Sequence, residues 1–125
     1  GGAMTADKKT CEDRITEALA SRAADFETYF SNPEIYEEGN EELPPFHHYG
    51  LCFDAREDEE TGEVTHYDFL LSWGGPSDFV RFHRNGSTSY HFQDWFDGAV
   101  RVVTGLGWAE ELRSWFDECE ALNFD

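Results

Sequence analysis

The sequence predicts an α+β fold. The expected form is a four-stranded antiparallel meander sheet packed on one face by N- and C-terminal helices, two layers in the order α-β-β-β-β-α. Three observations carry this. Apolar residues recur at helical spacing up to residue 31. They alternate with period two between Phe46 and Phe96, where Gly-, Pro- and Asn-rich turns fall at short intervals. Helical spacing then returns near the C-terminus. With 125 residues and 14.4 kDa, the chain suits one domain around one core. That domain is expected over residues 4–125. Gly1-Gly2-Ala3 reads as the remnant of a cleaved expression tag before Met4.

The first helix is expected over residues 10–31. Cys11, Ile15, Ala18, Leu19, Phe26, Tyr29 and Phe30 form one apolar stripe. Thr10 with Asp13 resembles a capping box, with Asp in place of Glu. Asn32-Pro33 stops this helix, because a residue before proline is pushed out of the α region. The same pair starts a short second helix, with Asn32 as N-cap, Pro33 as first helical residue and Gly39 as the stop. Residues 40–46 form a loop stiffened by Pro44-Pro45.

In the first strand Tyr49, Leu51, Phe53 and Ala55 alternate with polar or small neighbours. Asp58 to Gly62 is a turn. Val64 to Trp73 is the second strand, with Thr65, Tyr67, Phe69, Leu71 and Trp73 on one face, and Gly74-Gly75-Pro76-Ser77 breaks it. Phe79 to His83 is the third. Asn85-Gly86 marks a hairpin, since this pair accepts the positive φ of a tight turn. Thr88, Tyr90, Phe92 and Phe96 mark the fourth strand. A last helix spans 105–122, with Leu112, Trp115, Phe116, Cys119 and Leu122 as its stripe. The sheet face away from the helices is left more exposed, as a possible binding surface.

Charge narrows the function classes. The chain has 27 Asp and Glu against 9 Lys and Arg, a net charge of −18. Direct nucleic-acid binding needs a basic surface, and an anionic membrane repels such a chain. Aromatic residues make up 16% of the chain, too many for a disordered one. Cys11, Cys52 and Cys119 are odd in number and lack a metal-ligand spacing, so free thiols in a reducing cytoplasm are expected. No apolar run reaches the ~18 residues of a membrane span, and no signal peptide is apparent.

Several residues bear on chemistry. Glu34, Glu37, Glu38, Glu41 and Glu42 lie in nine residues without a base, and Gly39 separates the first three from the rest. Asp54, Glu57, Asp58, Glu59 and Glu60 surround Arg56 at a hairpin tip. Duplex DNA carries one charge per ~1.7 Å, so this net charge equals that of ~30 Å of duplex, about the width of a domain this size. Such a surface suits a basic nucleic-acid groove; solubility is the plainer explanation of the same charge. Asp94 and Asp97 flank Trp95 and Phe96, a mixture suited to a protein contact if Trp95 faces outward, although a core aromatic beside a Gly98 turn is the plainer account. The spacing at 54–60 is not that of an EF-hand. His66 and His91 could converge with Asp68 or Asp94 if the strand registers permit. No metal motif or catalytic relay is present, and Gly74-Gly75-Pro76 lacks the Lys of a P-loop. No catalytic residue, metal or cofactor is therefore expected.

Leu71-Ser72-Trp73-Gly74-Gly75-Pro76-Ser77-Asp78, Arg81-Phe82, Tyr90, Phe92 and Asp94-Trp95-Phe96-Asp97-Gly98-Ala99 resemble a family of small acidic proteins of phages, prophages and mobile elements. Tyr49-Gly50-Leu51 and Trp108 with Trp115-Phe116 extend the likeness over the C-terminal two-thirds. The resemblance implies a bacterial cytoplasm and a counter-defence role, with no settled activity and no site residue to carry over. The expectation is a non-enzymatic inhibitor, anti-CRISPR or anti-restriction, that mimics DNA. Its partner would be a host protein or ribonucleoprotein complex with a basic groove. An immunity protein for a basic nuclease toxin and a small-ligand or enzymatic domain are the alternatives. The partner-binding candidates are Glu34, Glu37, Glu38, Glu41, Glu42, Asp54, Glu57, Asp58, Glu59, Glu60, Asp94, Trp95 and Asp97.

Overall fold

The computed structural model describes residues 10–94 and 96–124. The expected tag remnant and start at Met4 lie outside them, as does Trp95. Helix α1 runs Cys11–Ser31 and α2 Pro33–Glu38, and a single 3-10 turn covers Phe46–His48. The strands are β1 (Cys52–Glu57), β2 (Val64–Ser72), β3 (Pro76–His83), β4 (Thr88–Asp94) and β5 (Asp97–Val102), followed by α3 (Gly107–Glu118). The fold is α+β, and its antiparallel sheet has five strands in the order β1-β2-β3-β4-β5.

The expectation of four strands is thus corrected to five. The chain reverses between Asp94 and Asp97, which are register partners, so Gly98 lies in a strand and not in a turn. The run Ala99-Val100-Arg101-Val102-Val103 holds the β-branched residues typical of a strand. Its Val100 and Val102 are exposed, so it lacks the period-two apolar face of a half-buried strand.

Local chemistry sets the ends of the first two helices. The Thr10 hydroxyl accepts from the Asp13 N–H at 3.2 Å, and an Asp13 carboxylate oxygen accepts from the Thr10 N–H at 3.2 Å, closing the capping box. Asn32 ends α1, and its Oδ1 caps α2 by accepting from the Ile35 N–H at 3.3 Å. Gly39 follows at φ 75, where an added Cβ would meet the Leu43 carbonyl at 2.6 Å. Only glycine fits that conformation and that space. Tyr49 ends the 3-10 turn instead of opening a strand, while Leu51 and Ala55 are exposed. The expected alternation of the first strand therefore holds only at Phe53.

Strand parity sorts the sheet residues. Tyr67, Phe69, Leu71, Val80, Phe82, Tyr90, Phe92 and Ala99 join Ile15, Phe26, Trp108, Leu112 and Phe116 in one core. Phe116 stacks on Phe53 at 4.2 Å and meets Phe69 and Phe82 edge-on or tilted, which seats α3 on this side. Phe26 stacks on Trp108 at 5.4 Å, joining α1 to α3. Each such buried ring contributes about 2–3 kcal/mol. Gly50 lies so close to the Phe69 ring that a Cβ would stand 2.0 Å from it.

Candidate partner-binding surface and the open sheet face

A polar frame ties α1 to the sheet. Asp78, 3% exposed, accepts from Arg22 Nε at 2.7 Å and from a second Arg22 nitrogen at 3.0 Å, from Ser72 at 2.5 Å and from Tyr90 at 2.6 Å. Burial alone would raise its pKa, but these hydrogen bonds and the Arg22 charge outweigh it and hold the carboxyl below its usual range. Arg22 also donates to the Tyr49 hydroxyl, which in turn donates to Asp25. Near the N-terminal end of α1, Arg14 pairs with Asp94 at 2.5 Å. Asp97 accepts from the Cys11 N–H at 2.6 Å, satisfying an open donor of the first helical turn.

Most of the described arginines are engaged within the fold, whereas Arg56 stands exposed on β1 among the acids of the second cluster. Arg14, Arg22, Arg81 and Arg101 pair with Asp94, Asp78, Asp68 and Glu12. Arg113 donates to the carbonyls of His83 and Ser87, and Arg84 to those of Val64 and Phe124. Against this, Glu34, Glu37 and Glu38 stand exposed on α2, and Glu41 and Glu42 in the loop after it. Asp54 and Glu57 are exposed on β1, with Asp58, Glu59 and Glu60 in the β1–β2 turn. Among the described residues, no ion pair engages the acids of either cluster. Asp58 shapes its turn by accepting from the N–H groups of Glu60 and Thr61, and those bonds lower its pKa.

The nominated acids therefore fall into separate places. The 34–42 group borders α1 and the 3-10 turn; the 54–60 group occupies an edge strand and its turn. Asp94 and Asp97 hold α1 onto the sheet. Trp95, nominated as the aromatic contact, lies outside the described residues.

The side of the sheet opposite the core carries a constellation that sequence reasoning only partly anticipated. The registers place His66, His83, Asp68, Arg81, Ser89 and His91 on one face. Arg81 binds Asp68 in a two-bonded pair at 2.7 and 3.1 Å, and His66 Nε2 lies 3.8 Å from Asp68. The expected meeting of His66 with Asp68 is thus present. His91 instead shares the Ser89 hydroxyl with His83, at 2.8 Å on each side, and stacks on Phe79 at 4.6 Å. Asp94 lies on the helix side. Burial, assisted by the Arg81 charge, lowers the pKa of all three imidazoles, that of His91 to about 4. Neutral rings suit the chain: Ser89 has one proton, so it donates to one Nε2 and accepts from the other. Ser89 is only 5% exposed, which closes its hydroxyl to a substrate. The signal for this face was the i, i+2 spacing of His66 with Asp68, Arg81 with His83 and Ser89 with His91.

A concavity of about 600 Å³ on this face is lined by Asp54, His66, Asp68, Trp73, Phe79 and Arg81, among others. A second, of about 570 Å³, adjoins it at Trp73, Ser77 and Gln93 and extends to Gly74 and Gly75. Both are shallow and open. Among the described residues, no three His, Cys, Asp or Glu side chains form a group that could hold a metal ion. Among them too, no helix is long and apolar enough to cross a membrane. No protein-family model matches the chain, and neither a curated protein nor a solved structure matches it.

Proposed function

We propose that the protein is a non-enzymatic acidic inhibitor that occupies the nucleic-acid groove of a bacterial defence complex, a CRISPR effector or a restriction enzyme, in place of DNA. One observation carries this reading. Four of the described arginines are paired with Asp94, Asp78, Asp68 and Glu12, while the acids of both clusters face water with no ion pair. The acids of both clusters are open to solvent, where a cationic groove can reach their charge. The helices are taken as one layer over the core side of the sheet, which keeps both clusters at the periphery. The resemblance of the Leu71–Asp78 and Asp94–Ala99 segments to proteins of phages and mobile elements supports this setting, in a bacterial cytoplasm.

The test is a DNA-binding assay with a purified CRISPR effector or restriction enzyme. The apparent Kd for DNA is expected to rise linearly with inhibitor concentration, and DNA occupancy to recover with excess duplex. Replacing Glu34, Glu37, Glu38, Glu41, Glu42, Glu57, Glu59 and Glu60 by Gln, and Asp54 and Asp58 by Asn, is expected to abolish the effect with the fold intact. Full inhibition by that variant would rule the mechanism out. An immunity protein for a basic nuclease toxin would use the same electrostatics, and binding to a single toxin instead of a defence complex would identify it.

A second reading, a small-ligand site, is favoured by the concavity that brings His66, Asp68 and Arg81 together. Ligand binding there would shift the imidazole NMR signals of His66, His83 and His91 and leave the acid clusters unaffected.

A further inference from the structure

β5 forms one edge of the sheet. Among the described residues, the exposed large apolar side chains are Leu51, Trp73, Phe96, Val100, Val102 and Leu106. Four of them belong to β5 or its flanks: Phe96 in the preceding turn, Val100 at 50% and Val102 at 76% exposure on the strand, and Leu106 just after it. The charged residues of β5 are engaged by α1, because Asp97 accepts from the Cys11 N–H and Arg101 pairs with Glu12. On the open face the side chains of β5 are apolar, on a chain of net charge −18, while along its edge Asp97 also accepts from the Gly98 N–H at 3.0 Å and Arg101 donates to the Val100 carbonyl at 3.1 Å. The opposite edge differs. β1 carries Asp54, Arg56 and Glu57, and its register shifts between Arg56 and Glu57, devices that discourage edge pairing. β5 has neither a lysine nor a proline nor a bulge.

The backbone of β5 defines how a second strand can join it. The Val103 N–H donates to the Thr88 carbonyl at 2.9 Å. In an antiparallel ladder alternate residues bond to the same side, so Gly98, Val100 and Val102 present N–H and C=O away from β4. Two such edges can pair about a two-fold axis centred on residue 99, 100 or 101. Only the axis at Val100 uses all three outward residues of both strands. It sets each Val102 opposite a Gly98 and Val100 opposite its own copy. On the other face it sets Arg101 opposite Ala99, which avoids the like-charge pair that an axis at Arg101 would create.

We propose that β5 pairs antiparallel with β5 of a second copy of this chain, in that register, to give one continuous sheet through a closed two-fold interface. The edge offers a strand's hydrogen bonds once the Asp97 carboxylate releases the Gly98 N–H and Arg101 the Val100 carbonyl, and Val102, Val100 and Gly98 are self-complementary in size across the axis.

The test is sedimentation equilibrium of the full chain from low micromolar to several hundred micromolar, at about 0.05 and about 0.5 M salt. A species of twice 14.4 kDa is expected at high concentration, and more of it at high salt, where mutual repulsion is screened. Val100→Lys and Val102→Lys are each expected to weaken the dimer by about tenfold or more, while Leu51→Lys leaves it unchanged; circular dichroism checks that all three fold. Cysteine trapping reads the register, in a chain whose exposed Cys52 and Cys119 are replaced by Ser. Val100→Cys places two thiols at facing positions about 5.5 Å apart between Cα atoms, inside disulfide range, so oxidation gives a covalent dimer. Val102→Cys gives none. A chain that stays monomeric at every concentration and salt leaves the edge to a strand of some other protein and overturns the proposal. A dimer indifferent to both lysine variants overturns it equally. Binding of a cationic groove weakens with salt whereas this association strengthens, so the two proposals fail separately.

Discussion

Asp78 receives hydrogen bonds from Arg22, Ser72 and Tyr90 at 3% exposure, which gives Ser72 and Asp78, register partners on β2 and β3, a structural purpose. Removing one partner of such a buried pair costs about 3–5 kcal/mol, because the other charge is stranded. Asp94 and Asp97 serve similarly at the far end of α1. The two long motifs thus mark where the sheet holds α1, and a conspicuous sequence pattern here reports anchoring. His91 makes a different demand. Its folded pKa is about 4 against an ordinary value of 6.5, chiefly through burial. Above pH 6.5 both folded and unfolded chains hold it neutral. Between 6.5 and 4 the unfolded chain takes up a proton that the folded one refuses, so stability declines by about 3 kcal/mol as pH falls through that window. His66 and His83 shift in the same direction. Urea midpoints at about pH 7.5 and about pH 4.5 should show a clearly smaller acid loss for His91→Gln than for the parent. Equal losses would mean that the acid sensitivity arises elsewhere.

Helix α3 ends in a way the sequence pattern misses. Apolar spacing predicts a helix to residue 122, yet it stops at Glu118. Beyond it, Glu120 donates to the Asp117 carbonyl and Ala121 to that of Phe116, the two bonds of a Schellman turn. Glu120 therefore sits at φ 60, where a side chain is disfavoured and glycine is usual. Glu120→Gly is expected to raise stability by up to about 1 kcal/mol, read as a higher urea midpoint at unchanged slope; a lower midpoint would show that the Glu120 side chain holds the turn. Two differences from the spacing pattern trace to burial that spacing does not report, with opposite signs. Leu122 and Ala121 are half-buried because the chain folds back over the helix end, so their burial imitates a continuing stripe. β5 was missed for the converse reason, since its valines face water. The Thr10 capping box and the paired roles of Asn32 were legible because caps depend only on neighbours in sequence. The constellation on the open sheet face needed the registers of three hairpins, and of its members only the meeting of His66 with Asp68 was foreseen.

For the molecule as a whole, the question is what the excess of carboxylates does to the protein that carries it. A net charge of −18 on so small a domain repels itself. At about 10 mM salt the Debye length is about 30 Å, so acids on opposite sides interact; at about 1 M it is about 3 Å and they do not. The acids at 34–42 and 54–60 have no ion pair among the described residues, so, apart from Asp58 with its two backbone N–H bonds, they add to this repulsion with little to offset it. The variant neutralised at both clusters should therefore melt higher than the parent at low salt, with the gap closing as salt rises. Thermal melting of both chains across that range measures it directly. A variant that melts lower at every salt concentration would show that the clusters support the fold, and their charge would then need no partner. A variant that is more stable, yet inactive against the defence complex, separates the two roles. The fold would then be shown not to need these carboxylates, and the groove they were proposed to fill would be left as the reason for them.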